Sequence, residues 1–228
     1  MQQYSCDLIN GYPIADIRGR KFLIDTSLPF TLADRPLSLE GARFEVAQEV
    51  MGLTTAQVAD VAGLELDGVL GANVTDQFVM RIEPEQRKLV LDQYLDAFPV
   101  EIEIENLGGQ TIMHQTIGGK HMKAFLSLGS HLSYVCASEV EGLEPVGRER
   151  DVLAMIGEIE TEVYELPVAI GQTIHHFKFG VIPPAMQSFI DMANVQAAIG
   201  SELLQHYAIS LAVHEGLLML DPIKKPLH

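Results

Sequence analysis

The sequence predicts a mainly β protein made of two related halves, with a few short helices. Three observations carry that expectation. A stretch that closes the first half recurs at the end of the chain. Most apolar residues fall in short runs or alternations bounded by turn formers. Only two longer segments carry a helical signature.

The repeat comes first. "GANVTDQFVMRIEPEQRKLVLD", Gly71 to Asp92, aligns without a gap on "GSELLQHYAISLAVHEGLLMLD", Gly200 to Asp221. Phe78 falls on Tyr207, Ile82 on Leu211, Leu89 on Leu218, Leu91 on Leu220 and Asp92 on Asp221. Each copy follows an apolar pair, Val69-Leu70 or Ala198-Ile199. Each parses as a short helical turn, a strand, a turn holding Pro84 or Gly216, and a closing strand. Upstream, "IRGRKFLIDTSLPFTL" from Ile17 resembles "IGGKHMKAFLSLGSHLSYV" from Ile117, each with a Gly-containing hairpin turn, a strand and a polar elbow. This lays Leu23-Ile24-Asp25-Thr26-Ser27 on Phe125-Leu126-Ser127-Leu128-Gly129. The halves are expected to span residues 1–105 and 106–228, with a seam near Glu101 to Gln110.

The remaining elements follow in order. Leu37 to Leu53 is a candidate hairpin of the first half. Thr54 to Glu65 predicts a helix, with Thr54 or Thr55 as its N-cap. "YELPVAIG" and "HHFKFGVI" read as strands around a turn at "GQT", and a weaker helical signature covers Pro184 to Gln196.

At 228 residues and 47% hydrophobic, the chain is long enough to bury a substantial core. The formal charge of −16, with scattered basic residues, excludes a phosphate-binding surface, so no nucleic-acid partner is expected. Acidity also repels anionic membranes, and the sequence holds no apolar run of the roughly 18 residues a span needs. "MQQYSCDLIN" lacks a basic region followed by an apolar one, so a cytoplasmic location is expected. Two cysteines, Cys6 and Cys136, are too few for a disulfide framework or a Cys-rich zinc site; two reduced thiols are expected, with one bridge between them as the alternative.

Elbow, apolar-apolar-Gly, short helix and closing strand pair, present twice, resemble the pepsin and retropepsin superfamily of aspartic proteases. "LDGVLGANVTDQFVMRIEPEQRKLVLD", Leu66 to Asp92, is the most specific match. The resemblance implies a two-lobed acid-protease-like β-barrel fold, with a cleft between the lobes and one Asp-Thr/Ser-Gly elbow from each. In that chemistry two carboxylates share a site and their repulsion drives their pKa values apart. One acts as base on a water held between them, while the other donates to the substrate carbonyl.

Asp25 and Thr26 match the first elbow, but the pattern breaks at three places. Ser127 stands where the second Asp belongs, and a hydroxyl splits no pKa; it is expected only to hydrogen-bond to Asp25 or a water. Leu128 stands where a hydroxyl would lock the elbows, so Thr26 is expected to face a side chain that neither donates nor accepts. Ser27 replaces the glycine that permits a tight turn. Asp151, Asp191 and Asp221 lack the strand-to-elbow setting of a substitute acid.

Rival chemistries are weaker. His175 and His176 are adjacent on a strand and so point to opposite faces; no metal site is expected. Ser127, His131 and Asp25 have the residue types of a nucleophilic triad, without a signature for an oxyanion hole. "IGGK", Ile117 to Lys120, reads as a hairpin turn, not a phosphate loop. No cofactor is implied. The expectation is an aspartic-protease-like pseudoenzyme, inactive as a monomer, that binds an extended peptide or a partner protein in its cleft. The competing expectation is an active aspartic endopeptidase that pairs Asp25 with another acid or with Asp25 of a second chain.

Overall fold

A computed structural model describes residues 1–39, 41–50, 52–94, 98–153 and 156–224. The fold is mainly β with a few short helices, as the sequence predicts. In the first half the strands are β1 (Gln2–Ile9), β2 (Tyr12–Ile17), β3 (Arg20–Ile24), β4 (Leu32–Ala33), β5 (Leu37–Leu39), β6 (Ala42–Phe44), β7 (Glu49–Val50) and β8 (Leu53–Thr54). Then come α1 (Thr55–Ala62), β9 (Gly68–Leu70), α2 (Ala72–Thr75), β10 (Val79–Glu83) and β11 (Lys88–Asp92). β12 (Val100–Leu107) runs across the expected boundary at residue 105, and β13 (Gln110–Ile117), β14 (Lys120–Leu126) and β15 (Ser133–Val135) follow in the second half. It continues through β16 (Gly147–Leu153), β17 (Gly157–Ile170), β18 (Thr173–Val181), α3 (Gln187–Ala193), β19 (Ala197–Ile199), β20 (Tyr207–Ala212) and β21 (Leu217–Pro222).

The pairings repeat between the halves. β3 runs parallel to β9 as β14 runs parallel to β19, and β4 and β15 lie antiparallel on those same strands. β10 pairs with β11 as β20 pairs with β21. The apolar-apolar-Gly motif ends β9 and β19, and its glycine serves a close approach. A Cβ on Gly71 would lie 2.7 Å from the Leu28 carbonyl oxygen, and one on Gly200 would lie 2.1 Å from that of Leu132.

The seam is a strand ladder. β10 and β20 pair antiparallel, Met80 opposite Leu211 and Ile82 opposite Ile209, so one sheet runs β1–β11–β10–β20–β21–β12 across both halves. Alternation drives it: Met80, Ile82, Ile209 and Leu211 are buried and share one core with Phe22, Ile24, Leu126 and Ile199. The stretch 101–110, where the sequence puts the seam, is itself mostly strand. β12 occupies most of that stretch, pairing first with β21 and then with β13.

α1 starts where expected. Thr54 is its N-cap in a capping box with Gln57, and Gly63 closes it in the left-handed conformation. The halves differ between elbow and glycine motif. Among the described residues, the first carries the small hairpins β5–β6 and β7–β8 before α1; Glu40 and Met51, in the predicted hairpin, lie outside them. The second half carries a longer hairpin, β16–β17, which β18 extends. Among the described residues, no helix is long and apolar enough to cross a membrane.

Candidate functional site

Both elbows begin at the end of a fully apolar strand segment. Phe22, Leu23 and Ile24 are buried, and the chain leaves β3 at Asp25, whose N–H donates to the Leu70 carbonyl at 3.0 Å. Ala124, Phe125 and Leu126 are buried likewise, and the Ser127 N–H donates to the Ile199 carbonyl at 2.8 Å. The same contact with the apolar-apolar-Gly strand therefore fixes both elbows. They meet in the interior, where Asp25 and Ser127 are each 5% exposed.

Thr26 crosses between them. Its hydroxyl donates to the Leu126 carbonyl at 2.7 Å and accepts from the Leu128 N–H at 3.2 Å. This corrects the expectation that Thr26 faces a partner unable to bond. The Leu128 side chain is inert, but its backbone supplies the donor, so half of a reciprocal lock persists.

Ser27 does more than restrict a turn. Its N–H and hydroxyl both donate to Asp25 Oδ1, at 2.8 and 2.6 Å. Ser127 Oγ donates to Ser27 Oγ at 3.0 Å, and so reaches Ser27 rather than bonding Asp25 directly. The order is Ser127, Ser27, Asp25: one hydroxyl occupies the position between the two elbow side chains. Gln110 Nε2 holds the turn from the other side by donating to the Ser27 carbonyl. The Leu28 and Gly129 N–H groups also donate to the Asp25 carboxylate. A Cβ at Gly129 would fall 2.2 Å from Asp25 Cγ, so the glycine kept by the second half serves the acid of the first. Burial raises the Asp25 pKa and outweighs these donated bonds, which pull it down.

A largely apolar pocket of about 460 Å³, including its open mouth, adjoins the elbows. Phe125, Tyr134, Leu153 and Phe189 contribute apolar wall, and Ser27, Gln110 and Ser127 form its polar end.

A second polar centre lies beside the second elbow, and it includes Asp151 and His131, weighed above as a substitute acid and a triad base. Asp151 is fully buried. Its Oδ1 accepts from the Tyr12 hydroxyl at 2.8 Å and the Val152 N–H at 2.7 Å, and lies 2.9 Å from His131 Nδ1. Oδ2 accepts from the Tyr134 hydroxyl at 2.8 Å and the Leu132 N–H at 3.1 Å. His131 Nε2 is 3.2 Å from Glu149, which Lys178 holds at 2.7 Å. Burial works to raise the Asp151 pKa, yet the bonds from His131, Tyr12 and Tyr134 prevail and lower it. Burial pulls His131 down, but Asp151 and Glu149 together raise it. Asp151 is thus spoken for and is not Asp25's second acid. Nor does a triad assemble: Ser127 bonds Ser27 and lies 3.4 Å from Ser130, while His131 turns to Asp151 and Glu149. The one sequence signal for this centre was a polar pair, Asp151 and Glu149, two apart on a strand.

The other sequence candidates disperse. His175 bonds the Tyr207 hydroxyl at 2.8 Å, while His176 faces Glu165 at 3.2 Å. Asp191 lies on α3 beside Gln187, and Asp221 is an exposed strand-end residue. Cys6 and Cys136 are free thiols, and burial pushes Cys6 up to about 12.

No protein-family model and no curated protein sequence matches the chain. Among solved structures it is similar to a retropepsin-like aspartic protease from Rickettsia conorii, at 17% identity, over 56% of this chain and 95% of that one, with a TM-score of 0.38. A likeness at that level carries no argument about chemistry.

Proposed function

We propose that this chain is an aspartic-protease-like protein without proteolytic activity, and that it binds an extended peptide or a partner protein beside its two elbows. The observation that carries this reading is the Ser27 hydroxyl, 2.6 Å from Asp25 Oδ1 and 3.0 Å from Ser127 Oγ. Acid proteolysis needs a water between two carboxylates. Here a side chain stands between one carboxylate and one hydroxyl, and neither hydroxyl can carry a shared proton with a split pKa. The apolar pocket with Ser27, Gln110 and Ser127 at its polar end suits an apolar side chain presented on an extended backbone. The internal repeat, and division of the chain into two lobes, belong to the same reading, as does a cytoplasmic place of action.

Cleavage of a diverse peptide pool from acid to neutral pH, read by mass spectrometry beside Asp25→Asn, tests it. No cleavage is expected from folded parent protein. Cleavage that disappears in Asp25→Asn overturns the reading in favour of an active endopeptidase pairing Asp25 with a second acid, within the chain or from another copy. The geometry adds a requirement to any repair. Ser127→Asp with Leu128→Thr leaves Ser27 in place, so cleavage is expected to return only when Ser27→Gly is added.

A further inference from the structure

Strand β16 packs beside both elbows. Val152 packs in one apolar cluster with Leu28 and Leu32 of the first half, and its carbonyl accepts the Ser130 hydroxyl at 2.9 Å. Leu153 forms part of the pocket wall beside Ser27 and Ser127. At the near end of the hairpin, Gly157 comes up against Leu53 of the first half. The strand thus borders the pocket at the elbows, and the Asp151 centre ties it down together with the Ser130 bond and the packing of Val152. That centre gathers groups from several elements: Tyr12 on β2, His131 after β14, Tyr134 on β15, and Glu149 and Asp151 on β16. Lys178 on β18 reaches Glu149, and its N–H donates to Glu202, whose charge also acts on His131. The first half joins again through the Ser201 hydroxyl, which donates to the Gly11 carbonyl at 2.5 Å.

We propose that β16 is an acid-fastened cover: protonated His131, held between Asp151 and Glu149, locks the strand over the elbows, and loss of that proton loosens it. Asp151 is buried with its other donors neutral, so the imidazolium is the positive charge that meets it directly. The sign follows from the raised pKa of His131. Its contribution is complete below the unfolded value near 6.5 and is lost as pH rises through the higher folded value. The cover's role in admitting a ligand rests on the binding function proposed above, whereas the lock itself is read without any ligand.

Amide hydrogen exchange on the full chain tests the lock. Protection factors, which remove the chemical effect of pH, are expected to fall about tenfold for β16 and the Leu132 amide between about pH 5.5 and 8.5. Those of β10 and β20 are expected to hold. His131→Gln keeps a donor toward Asp151 but cannot titrate, so its β16 protection is expected to be flat with pH. Glu149→Gln, which keeps the shape of the cluster, is expected to shift the fall to lower pH. A β16 response that is absent in the parent, survives in His131→Gln, or disappears in Glu202→Gln overturns the proposal. Failure to bind peptide leaves this result unchanged and counts only against the binding function.

Discussion

Ser27 decides the chemistry of Asp25 at the scale of single atoms. Its hydroxyl bond opposes the effect of burial on the carboxyl, so removing it is expected to raise the Asp25 pKa further. Carboxyl carbon chemical shifts across a pH titration check this in Ser27→Ala, with a higher midpoint as the expected outcome. The sequence made Asp25, Thr26 and Ser127 legible because each sits at the end of an apolar strand before a polar elbow. It hid how they bond. Ser27 reads as a lost glycine, and nothing in its identity says that its hydroxyl turns inward. Leu128 reads as inert because side-chain reasoning overlooks its N–H. The Tyr12 bond to Asp151 was beyond reach for another reason: the two lie far apart in sequence.

At the level of strands and turns, the two glycine motifs carry the architecture. Gly200→Ala places a methyl carbon 2.1 Å from a backbone oxygen, and neither backbone can yield without disturbing Ser127. A loss of roughly 3 kcal/mol or more in urea unfolding is expected, at the severe end for one substitution. Gly147→Ala is the control, since nothing lies within 4 Å of its added carbon and its φ is ordinary; a change within about 0.5 kcal/mol is expected. The aligned apolar positions and capped helix were readable because period and capping are local. Leu37 to Leu53 and Gly147 to Val163 both read as short strands around turns, and long-range packing, which periodicity does not carry, puts Val152 and Leu153 beside the elbows.

Across the whole molecule, groups with raised and groups with lowered pKa values set opposite slopes of stability against pH. Asp25, His131 and Glu202, the last raised to about 6 chiefly by burial, contribute stability that is lost as pH rises through their folded values. Asp7, Glu149 and Asp151 have lowered pKa values, so their contributions are lost only as pH falls through those values. Lower pH also relieves the self-repulsion of a chain at −16. The melting temperature is therefore expected to peak in mild acid, about pH 5 to 6, and to decline toward pH 8, as a calorimetric pH series would record. The β10–β20 ladder has its own consequence. Severed there, each half would bare an unpaired sheet edge built from alternating Met, Ile and Leu, a template for a second copy of itself. Two first halves joined along β10 would turn a pseudosymmetric molecule into a truly symmetric one, and would set Asp25 against Asp25.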